Sequence, residues 1–176
     1  MTHANPGGEP LEIERKFLIR YPDLSVLEKL CSRKARISQT YLVSENNLSR
    51  RIRCRECGGK TEYWYNEKQK ITDMTRIERE RQIPEEEYRE LLKEAIPGAR
   101  TILKTRYDLP CEDLCFEVDI FPEWDDRAFA EVELDNEKRR FTVPDCLTVI
   151  KEVTEDKRYT NKSLAINGFV YEEIGS

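Results

Sequence analysis

Glu12, Glu14 and Lys16 occupy alternate positions of the stretch from Leu11 to Ile19, and Leu11, Ile13, Phe17 and Ile19 occupy the other parity. Successive side chains of a strand point to opposite faces, so this stretch has one charged face and one apolar face. The same period recurs with Arg51 and Arg53, Lys68 and Lys70, and Arg76, Glu78 and Glu80. It continues with Lys104 and Arg106, Glu117 and Asp119, and Glu131 and Glu133. On an open sheet these residues would form a solvated face of mixed sign, which contributes little. Two features point elsewhere. Several of the strands carry only one sign of charge on that face, so pairing across strands is not the evident plan. The opposite faces, as in Phe116, Val118 and Ile120, are strongly apolar and need cover.

Drawn into a closed barrel, the charged faces would meet inside. The cations would be Lys16, Arg51, Arg53, Lys68, Arg76, Lys104 and Arg106; the acids would be Glu12, Glu14, Glu78, Glu80, Glu117, Asp119, Glu131 and Glu133. Enclosed charge is costly unless it is compensated by ions. Arginine forks and lysine point charges match phosphate oxygens, and clustered carboxylates match hard divalent cations such as Mg²⁺ or Mn²⁺. A polyanionic phosphate with bound metal satisfies both sets. Phosphate would be gripped by side chains, because there is no G-x-x-x-x-G-K-[ST] loop and only 7 glycines are present.

Other chemistries have little to work with. The single histidine is His3, so Ser-His or Cys-His catalysis has no nearby base. Cys54 and Cys57, followed by Gly58-Gly59, resemble half a zinc knuckle, but Cys111 and Cys115 are more than 50 positions away and Cys31 and Cys146 complete no pattern. The spacing favours reduced thiols in hairpin loops over structural zinc. A net charge of −5 argues against a sequence-blind nucleic-acid binder. The chain lacks an apolar run of membrane-spanning length, and its start lacks a signal-peptide pattern, so a cytoplasmic protein is expected.

Eight segments read as strands: 11–20, 34–43, 48–55, 61–71, 76–83, 100–107, 114–121 and 128–135. Asp23 caps a short helix near 24–31, and Pro84 with three following glutamates starts another that Pro97-Gly98 ends. A third helical zone is expected after Pro144, and Thr154 to Ala165 reads as turn and helix closed by Asn167-Gly168. The expected class is α+β: an eight-stranded antiparallel barrel with a charged interior, flanked by helices. Residues 1–10 would be a flexible tail and 11–176 one domain including a C-terminal helix.

The ordered motifs resemble those of the CYTH family, the triphosphate tunnel metalloenzymes. Glu12-x-Glu14-x-Lys16 resembles the E-x-E-x-K signature, Arg51-x-Arg53 the R-x-R strand, and Lys68 the phosphate-facing lysine. Arg76-x-Glu78-x-Glu80 resembles R-x-E-x-E and Lys104-x-Arg106 resembles K-x-R, while Glu117-Val118-Asp119 and Glu131-Val132-Glu133 complete the acidic set. The run from Thr154 to Asn161 resembles the C-terminal T-x-D-K-R-Y-x-N segment.

The resemblance implies a triphosphate-binding tunnel with a catalytic set of Glu12, Glu14, Lys16 and Glu133. Metal would be held by Glu12, Glu14 and Glu133, with Asp119 and Glu131 as further metal ligands, and Glu78, Glu80 and Glu117 would be additional tunnel acids. Phosphate would be held by Lys16, Arg51, Arg53, Lys68, Arg76, Lys104 and Arg106, and by Lys157 and Arg158 where the C-terminal segment closes one end. In that reading the barrel keeps its own strands without the segment; the alternative is a helix packing Leu164 and Ile166 while the basic pair is merely solvated. The activity implied is metal-dependent triphosphate hydrolysis, on tripolyphosphate with nucleoside triphosphates as possible substrates. Class IV adenylate cyclase and a non-catalytic polyphosphate or nucleotide reader are the alternatives. Monomer and homodimer both stay open.

Overall fold

The computed structural model describes residues 3–4, 10–45 and 47–175. Its strands are β1 (His3–Ala4), β2 (Pro10–Arg20), β3 (Arg33–Leu42), β4 (Leu48–Cys57), β5 (Lys60–Lys70), β6 (Thr75–Ile83), β7 (Ile102–Cys111), β8 (Leu114–Ile120), β9 (Arg127–Glu133) and β10 (Val149–Glu152). The helices are α1 (Leu24–Leu30), α2 (Glu85–Leu91) and α3 (Asn161–Asn167). Eight strands run in the order β2-β6-β5-β4-β3-β7-β8-β9, and β9 returns to β2, so the antiparallel sheet closes on itself. Closure removes the unpaired edges that an open sheet of alternating strands would present. Most of the proposed tail, residues 1–10, lies outside the described residues; within it, His3–Ala4 pairs with Pro10–Leu11.

Besides β1, the closing strand β2 serves three further neighbours. Leu11–Ile13 pair with β6, whereas Glu14–Arg20 pair with β9 on the other side. Where β6 departs, β10 takes the vacated edge at Phe17–Ile19. This corrects the helix expected after Pro144. Residues 144–147 make only a turn, with the Leu147 N–H donating to the Pro144 carbonyl at 2.9 Å, and Val149–Glu152 is a strand. The β-branched pair Val149-Ile150 suits a strand, and the free edge of β2 supplies its hydrogen-bond partners.

The other helices form where their caps predict. The Asp23 carboxylate accepts from the Ser25 N–H at α1, and the Thr160 hydroxyl accepts from the Ser163 N–H at α3. Gly168, at φ 91°, ends α3 in a conformation that favours glycine.

The barrel is inverted along most of its length. Phe17, Phe116 and Val118 point outward beneath α1 and residues 141–147, and Ile52 and Ile83 point outward beneath Tyr88 and Leu91 of α2. At one end the inner face turns apolar. Leu18, Ile102 and Phe129 continue the parity of Lys16, Lys104 and Glu131, and they pack with Phe121, Trp124, Tyr159 and Leu164. Phe129 meets Tyr159 edge to face at 6.1 Å between ring centres. The C-terminal segment thus stoppers this end with hydrophobic side chains that belong to the core. All six cysteines are free, and no helix among the described residues is long and apolar enough to cross a membrane.

Candidate active site

Antiparallel register brings the alternate charges of seven strands to one inner surface. Glu12 is paired with Arg76, Glu14 with Glu133, Lys16 with Glu131, Lys68 with Glu78 and Arg106 with Asp119. These strands surround a cavity of about 1920 Å³. Glu12, Glu14, Lys16, Arg51, Arg53 and Lys68 line it, as do Arg76, Glu78, Glu80, Arg106, Glu117, Glu131 and Glu133. Lys157 reaches it from the C-terminal segment.

Three of the residues singled out in the sequence stand apart from this surface. Lys104 and Asp119 are buried and do not line the cavity, with Lys104 Nζ 2.6 Å from Asp119 Oδ2. Arg106 grips the same carboxylate with Nε and Nη2, each at 2.7 Å. Against burial, these two cations hold Asp119 below the ordinary carboxylate range. Burial and the neighbouring Arg106 pull Lys104 down to about 8. The third is Arg158, which lies outside the cavity and pairs with Asp156 and Glu172.

The cations in the cavity wall are incompletely partnered. Arg51 lies 3.7 Å from Glu78, Arg53 is ion-paired to Glu80, and Arg76 lies 3.9 Å from Glu14. Yet Arg51 Nε and Arg76 Nη1 are buried with no hydrogen-bond acceptor. A buried N–H without an acceptor is costly, which makes this wall receptive to an anion. Lys16 is held more firmly: its Nζ is 2.9 Å from Glu131 and 4.0 Å from the centre of the Phe129 ring. Its backbone is stitched to the C-terminal segment through the Thr154 hydroxyl and the Val153 N–H.

The acids show the converse. One Glu12 oxygen accepts from Lys68 Nζ at 2.7 Å, whereas the other is buried with no donor. Burial, with Glu14 and Glu78 nearby, raises its pKa well above the carboxylate range in spite of Lys68. Glu14 goes the other way: Lys68, Glu12 and Arg76 outweigh burial and Glu131. Burial raises Glu133 and Glu117. Crowded carboxylates with an unsatisfied oxygen suit a hard divalent cation. Among the described residues, no three carboxylate, thiolate or imidazole groups are already gathered tightly enough to hold a metal ion.

The structure adds residues that the motif reading passed over. Asp108 extends the charged face of β7 by one step, and Arg33, its register partner on β3, contacts it at 2.7 Å. The period that marks Lys104 and Arg106 also reaches Asp108, so that signal was present. Asn66, Gln39 and Tyr41 are buried neutral residues on charged or mixed strands, and a search for charges skips them.

The fold and this wall define a closed barrel that sets incompletely partnered cations against crowded carboxylates. A curated inorganic triphosphatase of Nitrosomonas europaea is 36% identical over 162 residues, which are 89% of this chain and 97% of the relative. The crystal structure of an inorganic triphosphatase matches with a TM-score of 0.52 at 32% identity, over 88% of this chain and 94% of that one. A Pyrococcus horikoshii protein, with a TM-score of 0.56 at 24% identity over 72% of this chain and 80% of its own, shares the fold. No protein-family model matches. The chain belongs to the CYTH family, the triphosphate tunnel metalloenzymes.

Proposed function

We propose that this protein is a metal-dependent hydrolase of inorganic tripolyphosphate. The observation that carries the reading is the pairing of opposite deficits in one cavity: buried guanidinium N–H groups without acceptors on Arg51 and Arg76, and a buried carboxylate oxygen without a donor on Glu12. A phosphate chain supplies acceptors to the first and a divalent cation satisfies the second. The relative named inorganic triphosphatase, which spans nearly the whole chain, supports the choice of substrate.

Mg²⁺ or Mn²⁺ would be held by Glu12, Glu14 and Glu133, whose positions on β2 and β9 are adjacent in register. Bound there, the ion would polarise phosphoryl oxygens and acidify water. Arg51 and Arg53, two residues apart on β4, are spaced about 6–7 Å along the strand, roughly the separation of alternate phosphates. Together with Arg76 and Lys68 they neutralise the phosphate chain and orient it for in-line attack by water. That attack breaks one P–O–P bond and releases orthophosphate and diphosphate. Arg106, braced by Asp119 beneath it, offers a fixed cation at the other side of the cavity, and Lys157 adds one from the C-terminal segment. The apolar stopper of Phe129, Tyr159 and Leu164 keeps bulk water from that end.

The test is to supply tripolyphosphate or ATP with Mg²⁺ and then with Mn²⁺, and to measure orthophosphate and cyclic AMP. Orthophosphate from tripolyphosphate is the expected result. Cyclic AMP as the main product would make the chain a cyclase, and binding without turnover would make it a reader.

A further inference from the structure

We infer that Asn66, a residue outside every charged motif, is a positioning residue for the phosphate-gripping arginines. Asn66 points inward from β5, is completely buried, and stands in register between Arg51 on β4 and Glu80 on β6. Its Nδ2 donates to two carboxylates, Glu78 Oε1 and, at 3.1 Å, Glu80 Oε2. Ionised carboxylates only accept, so this pair of contacts fixes which way the amide faces. Each of the two acids then meets a cation of the cavity wall. Glu78 lies 3.7 Å from Arg51 and 3.8 Å from Lys68, and Glu80 is ion-paired to Arg53.

One neutral side chain therefore sets both counter-ions on which the arginine pair rests. The choice of an amide follows from charge. A lysine here would compete with Arg51 and Arg53 for the same carboxylates, and an acid would add a like charge beside two others. A serine has only one proton to donate. The amide alone offers two N–H groups without changing the charge of the wall. It does so at a loss to itself, since its Oδ1 is buried with no donor. A buried amide left half-satisfied is a poor stabiliser, which separates this role from ordinary core packing.

The inference rests on the phosphate-binding reading of Arg51 and Arg53, so the experiment includes both. KM and kcat for tripolyphosphate are measured, alongside thermal melting, for the wild type, Asn66→Ala, the near-isosteric Asn66→Leu, the Arg51→Ala/Arg53→Ala pair, and that pair combined with Asn66→Ala. Either change at Asn66 should raise KM about tenfold with a smaller change in kcat and no fall in melting temperature. Once both arginines are gone, Asn66→Ala should add less than about twofold, because nothing remains to be positioned. An unchanged KM in whichever Asn66 variant folds would overturn the inference, as would a full tenfold effect persisting in the arginine-free background. A wild type without tripolyphosphatase activity, or an arginine pair that can be lost without effect, would instead refute the reading beneath it.

Discussion

Glu14 on β2 and Glu133 on β9 stand directly opposite each other in antiparallel register, while one step inward on the same two strands Lys16 meets Glu131 at 2.9 Å. The inner pair is neutralised; the outer one sets acid against acid. Like charges directly opposite destabilise a sheet by roughly 0.2–1 kcal/mol, so stability does not account for the outer pair. Replacing Glu14 by Gln keeps the volume and removes one charge. Melting temperature should hold or fall slightly, because Lys68 and Arg76 favour the ionised form of Glu14, while kcat on tripolyphosphate falls by about 100-fold or more. Melting curves and steady-state rates on the same preparation check both.

Removal of divalent metal should act through the same acids. Incubation with excess EDTA is expected to abolish phosphate release, and added Mg²⁺ or Mn²⁺ to restore it. Calorimetric titration should show the ion binding to the wild type and binding more weakly to Glu12→Gln, whose unpartnered oxygen and raised pKa mark it as the carboxylate most in need of a cation. Equal affinity in the two proteins would remove Glu12 from the site.

The arginines differ in what they already hold. Arg53 is ion-paired to Glu80, whereas Arg51 keeps a buried Nε–H with no acceptor. Arg51 therefore has more to gain from a phosphate. A charge-assisted hydrogen bond contributes about 1.5–3 kcal/mol, so Arg51→Ala should weaken tripolyphosphate use by about 10- to 100-fold in kcat/KM, and Arg53→Ala by less. A greater loss at Arg53 would reverse the ranking.

The period-two charges made the barrel legible because a strand that must bury one face and enclose the other can be written in few ways. Ile13 beside Glu12 and Glu14, and Val118 between Glu117 and Asp119, each state which side is which. The strand at Val149–Glu152 was hidden because its partner edge exists only where β6 leaves β2, a feature of closure rather than of local sequence. Lys104 and Arg106 look alike in the motif and share the inner face of β7, yet Arg106 lines the cavity whereas Lys104, one step nearer the apolar end, is sealed against Asp119; which of two such cations reaches the cavity depends on what packs beside each. Asn66 was invisible because an isolated amide has no pattern.

The segment after Glu155 separates two expectations. Tyr159 and Leu164 are fully buried among Leu18, Ile102 and Phe129. Truncating a single large buried side chain costs about 2–5 kcal/mol, against a total stability of roughly 5–15 kcal/mol. Deleting residues 156–176 should therefore unfold the protein, contrary to a barrel that keeps its own strands without them. Lys157→Ala instead should leave melting unchanged and reduce turnover of tripolyphosphate, since Lys157 lines the cavity and the buried anchors of the segment are Tyr159 and Leu164. Circular dichroism of the truncated chain and kinetics of the point variant distinguish a stopper from a removable lid.

The final prediction concerns pH and the strap that holds this stopper. Glu172 accepts from Lys151 Nζ at 2.9 Å and from the Tyr159 hydroxyl at 3.1 Å, and it is ion-paired to Arg158. Hydrogen bonds from Lys151, Arg158 and Tyr159 pull its pKa down to about 2, against about 4.3 in an unfolded chain. A carboxylate depressed in the folded state contributes stability that is fully present above the unfolded value and is lost as pH falls through the folded one. The difference in stability between wild type and Glu172→Gln should thus be constant above about pH 5 and shrink between about pH 4.5 and 2. Because the contacts are at the surface, the difference is modest and should diminish with added salt. Urea denaturation of both proteins across that range measures it directly. A difference that grows on acidification would mean that Glu172 is not the anchor of the strap.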